Sequence, residues 1–182
     1  MLCKINRIDW METKKIGIVA GIAVIAVVLI ALMGLATGFF ALEPGPDSNV
    51  KKFGTFSYVE GATVGKIGGK PVVELFSTTW CPHCIRIKET FDSTMQEYAA
   101  QGKIVAYHWE IDTGDNTLTQ AVETEVPASE MAVFSKFSPG SNIPLFVFGG
   151  KYYRIGNGFE GTQDLEKEKA EFRAMLEQLL KE

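Results

Sequence analysis

One uncharged apolar run dominates the first quarter of the chain, and beyond it short apolar segments recur with the periods of strands and helices. Ile16 to Leu42 is 27 residues without a charge. About 20 apolar residues at a rise of 1.5 Å cross a hydrocarbon core, so this run is long enough to span with some tilt. Glu43 to Lys52 is a polar stretch stiffened by Pro44 and Pro46, which reads as a linker. Thr55 to Glu60 alternates enough for an edge strand, and Gly61 to Lys70 is rich in turn residues. Val72 to Ser77 is nearly continuous in apolar character and predicts a strand buried on both faces. Ile87, Phe91, Met95 and Tyr98 then recur on one face of a helix that Gly102 stops.

Lys103 to Asp112 predicts the next strand, and strand–helix–strand implies a parallel pair with a right-handed crossover. Asn116 to Phe137 has a helical pattern broken at Pro127. Leu145 to Phe148, Gly149-Gly150 and Lys151 to Ile155 form a hairpin signal. Thr162 to Lys181 is a charged helix with an apolar stripe of Leu165, Phe172, Met175, Leu176, Leu179 and Leu180. The fold class expected is α/β, a mixed sheet flanked by helices and preceded by one membrane helix.

Charge orients the apolar run. Lys4, Arg7, Lys14 and Lys15 precede it, and Glu43 and Asp47 follow, so residues 1–15 are expected in the cytoplasm and the rest outside. A cleavable signal peptide would have an apolar region of roughly 7–15 residues and a small-x-small site. This run is longer and ends in Phe39-Phe40-Ala41-Leu42, so 16–42 is read as an uncleaved signal anchor. The organisation expected is a cytoplasmic segment 1–15, the anchor 16–42, a linker 43–52 and a folded domain 53–182. Gly17-x-x-x-Gly21 and Gly34-x-x-x-Gly38 have the small-residue spacing that membrane helix dimers use. From Glu43 onward there are 20 acidic and 14 basic residues, a balance that argues against nucleic acid and against a second, electrostatic membrane contact.

Three cysteines carry the candidate chemistry. Cys3 precedes the anchor and is expected on the other side of the membrane from the rest, as an idle thiol. Cys81-Pro82-His83-Cys84 follows Trp80 and the buried strand. This spacing puts Cys81 in the first turn of a helix, where unpaired N–H groups and the helix dipole favour a thiolate. Cys84 lies one turn inside, close enough to close a small disulfide ring. Zinc would need a second ligand pair, and only Cys3, His83 and His108 remain. Haem attachment needs His after the second Cys, where Ile85 stands. A redox-active dithiol needing neither metal nor cofactor is the reading that survives.

The order of elements and the dithiol after the first core strand resemble the thioredoxin fold over roughly Thr55 to Lys181. Pro82-His83 is similar to the inner dipeptide of the DsbA-type periplasmic disulfide oxidases. The resemblance implies that Ile143-Pro144, before the hairpin, is a cis peptide packed against the dithiol, and that Gly156 matches a glycine of the family. It implies a Cys81–Cys84 disulfide in the oxidised state, with Trp80, Ile143 and Pro144 receiving an incoming peptide as a short strand. Two departures stand out. Asp112 and Pro144 are separated by 31 residues, between the lengths of the minimal and the DsbA-type forms. The family carries a buried acid six residues before the first Cys, where this chain has Leu75.

Glu74 is the neighbouring candidate, either as a proton acceptor beneath Cys84 or as a residue facing solvent or Lys70. His108 falls where the family carries a buried lysine, either as a partner for Glu74 or as a satisfied polar strand residue. Cys81, exposed, is expected to be the nucleophile and Cys84 the resolving thiol. His83 beside the thiolate is expected to stabilise the reduced form and so make the disulfide more oxidising. The expected activity is that of an extracytoplasmic thiol–disulfide oxidoreductase, a dithiol oxidase acting on cysteine-containing exported proteins. The resemblance implies re-oxidation by a quinone-linked membrane partner. The alternatives are a tethered reductase for cytochrome c maturation, fed electrons across the membrane, and a non-catalytic adaptor that uses the fold to bind peptides.

Overall fold

The computed structural model describes Cys3–Lys4 and Val50–Glu182. The expected anchor at 16–42 and the segment 5–15 lie outside the described residues. Among the described residues, no helix is long and apolar enough to cross a membrane.

In chain order the elements are β1 (Cys3–Lys4), β2 (Val50–Phe53), β3 (Phe56–Val59), β4 (Lys66–Ile67), β5 (Lys70–Ser77), α1 (Pro82–Ala100), β6 (Val105–Glu110) and β7 (Asp115–Asn116). Then come α2 (Ala128–Phe137), β8 (Asn142–Ile143), β9 (Leu145–Phe148), β10 (Tyr152–Ile155), a 3-10 turn (Glu160–Thr162) and α3 (Leu165–Leu179). The main sheet runs β2-β3-β10-β9-β5-β6-β7, with β4 on β5. Among the described residues only β5 and β6 pair in parallel, with α1 as their crossover, so the sheet is mixed. Helices cover both faces, and this is a mixed α/β architecture.

The register of β5 explains the two cores. Alternate residues of a strand face opposite sides. Val73 and Leu75 join Ile87, Phe91 and Met95 of α1 and Phe172, Met175 and Leu176 of α3. Phe76 joins Trp109, Leu145, Val147, Phe134 and Phe137 on the α2 side, together with both motif cysteines and Ile143. A strand buried on both faces reads as a continuous apolar run, which is why its sequence signal is strong.

The sequence pattern and the structure differ in three places. Folding starts at Val50, inside the expected linker, because Val50–Phe53 pairs antiparallel with Phe56–Val59. The stretch before Pro127 is not helical. Its polar side chains bind backbone instead: Asn116 Oδ1 accepts from His108 N and Leu118 N, and Asp115 Oδ1 accepts from Glu123 N. Such local bonds compete with helix formation. Third, β1 pairs antiparallel with β8, placing Cys3 opposite Ile143.

The hairpin forms as the pattern predicts, with Gly149 at φ 62° and Gly150 at φ 60°. Both glycines in the left-handed region give the turn whose twist matches the flanking strands.

Candidate active site around Cys81 and Cys84

Cys81 is the N-cap of α1 and Pro82 occupies its first turn, a position where a missing N–H costs nothing. Ile85 N donates to Cys81 O at 2.9 Å. The preceding loop is pinned by Thr79, whose N–H donates to Asp112 Oδ1 at 3.1 Å. Both cysteines stand as thiols. α1 has no acidic residue of its own in its first turn, so within the helix nothing offsets the positive end at Cys81.

Cys81 is 0% exposed and Cys84 2%. The expectation that Cys81 is open to solvent is therefore corrected. Its neighbours in the α2-side cluster are apolar, and Ile143 of that cluster carries β1 along its backbone. Trp80 and Ile85, on either side of the motif, are exposed. The Ile143–Pro144 peptide is cis, and Pro144 O accepts from Gly156 N at 2.8 Å. The structure thus brings the Cys81–Cys84 pair and Ile143 into one cluster from two separate segments.

His83 has a partner that the sequence does not mark. Its Nδ1 lies 2.5 Å from Glu160 Oε1. A carboxylate only accepts, so Nδ1 carries the hydrogen. Asn157 Nδ2 donates to His83 O at 3.0 Å and to Glu160 Oε2 at 3.4 Å. Arg86 Nη1 donates to Gln163 Oε1 at 2.6 Å. The turn after β10 therefore clasps the first turn of α1 at three points, and sequence reasoning found none of them. The partners are 74 to 77 residues apart, and no local pattern marks such a contact.

A cleft of about 430 Å³ opens beside Cys84, with Ser77, Thr78, Lys88 and Glu110 in its lining. Glu110 accepts from Lys88 Nζ at 2.6 Å. Ser77 Oγ and His108 Nε2 are 2.7 Å apart, and His108 Nδ1 is 2.6 Å from Asp92 Oδ1. Ser77, His108 and Asp92 form a hydrogen-bonded row from the cleft through the buried imidazole to the partly exposed Asp92. Of the residues in it, only His108 was marked by the sequence.

Glu74 is elsewhere. It lies opposite Tyr107 and Val147, one register position from the Leu75–His108 pair, and so faces the other side of the sheet from His108. The two do not meet, and Glu74 neither faces solvent nor pairs with Lys70. It is 3% exposed, lies close to the Glu130 carboxyl of α2, and its Oε1 has no hydrogen-bond partner. Burial, then the Glu130 carboxyl, pushes its pKa up to about 9. The carboxyl that shares a cleft with Cys84 is Glu110.

Among the described residues, no cluster of three His, Cys, Asp or Glu side chains is placed to hold a metal ion. Comparison of the chain with protein-family models, with curated proteins and with solved structures gives no match.

Proposed function

We propose that Val50–Glu182 is a thioredoxin-like domain and that the protein is a thiol–disulfide oxidoreductase working through Cys81 and Cys84. The parallel β5-α1-β6 unit, the β9–β10 hairpin and the terminal helix α3 support the fold reading. The observation that carries the activity is the placement of two thiols three residues apart at the N-terminus of α1, in one cluster with Ile143.

In the oxidase direction, a client thiolate attacks Cys81 Sγ of the Cys81–Cys84 disulfide. Cys84 leaves as a thiolate and takes up a proton, and a mixed disulfide joins client to Cys81. A second client thiolate attacks the client sulfur, and Cys81 leaves as a thiolate. Two electrons pass from the client dithiol to the protein. A membrane partner then removes them, restoring the Cys81–Cys84 bond. The α1 N-terminus favours the Cys81 thiolate as leaving group.

The site of action proposed is outside the cytoplasm, on exported proteins, with 16–42 as a single-pass anchor and residues 1–15 in the cytoplasm. A chain anchored in this way cannot also pair β1 with β8. Its Asn142–Ile143 edge is then open to a client strand.

A second reading is favoured by one contact. Glu160 sets a negative charge against His83, which works against an oxidising poise and toward a reductase. The reduction potential of the full chain carrying Cys3→Ser separates the two. A value near −120 mV supports the oxidase, and one near −270 mV the reductase. Cys84→Ser is expected to accumulate mixed disulfides with clients and Cys81→Ser to form none; a chain whose function survives Cys81→Ser would be an adaptor.

A further inference from the structure

We propose that Glu160 is a positioning residue that turns His83 away from the Cys81 thiolate and so lowers the oxidising power of the dithiol. This rests on the oxidoreductase reading and adds a residue to it that lies 76 positions beyond the motif.

Geometry comes first. His83 and Glu160 meet at 2.5 Å, and both side chains are largely covered. Asn157 bridges the carbonyl of His83 and the free oxygen of Glu160, which fixes the ring and the carboxylate together. The turn that presents Glu160 is itself anchored. Phe159 N donates to Glu168 Oε1 at 2.8 Å, and Glu168 Oε2 accepts from the buried guanidinium of Arg154 at 2.8 Å. Gly158 sits so close that an added Cβ would meet Arg154 Nη1 at 2.5 Å and Thr55 Oγ1 at 2.7 Å. A carboxylate held this firmly is not a surface charge that happens to find a histidine. It is delivered to the first turn of α1 by a buried ion cluster.

The sign follows from the charges. A positive His83 beside Cys81 stabilises the thiolate, while an adjacent negative charge offsets that field. Glu160 also engages Nδ1–H, which is then not directed at sulfur. Removing the carboxylate withdraws the opposing charge and frees the ring. The freed Nδ1–H is then available to the sulfur, so the thiolate gains a donor as it loses a repelling charge. Arg86, the nearby cation on α1, is held by Gln163 and not by Glu160, so it stays in place.

The test uses the full chain with Cys3→Ser, alone and with Glu160→Gln, His83→Ala or both. Two readouts are taken: the pH profile of Cys81 alkylation, and the equilibrium of the Cys81–Cys84 couple with glutathione. Glu160→Gln is expected to lower the Cys81 pKa and to shift the equilibrium about tenfold toward the dithiol, about 30 mV more oxidising. In the His83→Ala background the same substitution is expected to shift either readout less than about twofold. An unchanged or raised Cys81 pKa on Glu160→Gln overturns the proposal, and so does a full-sized shift that survives His83→Ala. If the wild type forms no couple with glutathione, the oxidoreductase reading falls, while the alkylation profile still decides whether Glu160 acts through His83.

Discussion

Ser77 Oγ lies 2.7 Å from His108 Nε2, and the opposite nitrogen of that ring is 2.6 Å from Asp92 Oδ1. The imidazole is fully buried between a strand that leads to the dithiol and a helix that follows it. Both ring nitrogens have partners, and Thr117 Oγ1 adds a contact to Nδ1 at 2.9 Å. His108→Phe keeps the ring volume and orphans Ser77 and the half of Asp92 that faces inward. The expected cost is about 1–3 kcal/mol, seen as a lower urea midpoint with an unchanged slope. Slower resolution of the mixed disulfide in the same variant would show that the row also moves protons for Cys84.

Glu74 gives the protein a pH dependence of definite sign. Its carboxyl titrates near 9 in the fold, raised by burial and then by Glu130, and in the ordinary carboxylate range when unfolded. Between those limits the folded state binds the extra proton, so stability falls as pH rises, by at most about 1.4 kcal/mol per pH unit. It is fully retained only below the unfolded pKa. Glu74→Gln keeps a neutral hydrogen-bonding group and is expected to flatten the fall in Tm between pH 5 and pH 8. A wild-type curve that rises over that window would contradict this.

Arg154 bridges the sheet and α3. Its Nη2 donates to Glu168 at 2.8 Å and its Nη1 to Glu171 at 2.7 Å, and the guanidinium lies 4.6 Å from the Phe146 ring centroid. Arg154→Leu leaves two carboxylates with no cation between them, a loss of about 3–5 kcal/mol. Replacing all three charges together with apolar or amide groups is expected to recover most of it. The same triple variant loosens the Glu160 turn, so it is also expected to raise the reduction potential; chemical denaturation and glutathione equilibrium read the two effects separately.

Membrane topology is open to a labelling experiment that avoids the buried dithiol. Val122 is 83% exposed in a loop before α2. With the three native cysteines changed to Ser, Val122→Cys is expected to react with an impermeant thiol reagent in intact cells as fully as in lysed ones. Reaction only after lysis would place the domain in the cytoplasm and remove the exported clients from the proposal.

The local code was legible where one periodicity served one burial. Ile87, Phe91, Met95 and Tyr98 mark the buried face of α1, and the glycine pair marks the hairpin. It failed between Asn116 and Pro127, where side chains that bind backbone replace helix hydrogen bonds. It also failed at Val50, because a four-residue edge strand whose two central lysines are exposed has no apolar period of its own.

The sequence by itself determined the dithiol, its place at a helix N-terminus, the order of strands and helices around it, and a run long enough to span a membrane. Those properties depend on neighbours within one or two turns. Tertiary structure alone decided the environment of the chemistry. It buried Cys81, set Glu74 beside Glu130, linked Ser77 to His108 and Asp92, and brought Glu160 to His83. The physical reason is that charge and burial at a site are sums over everything nearby in space, and here the deciding groups come from strands and turns tens of residues away.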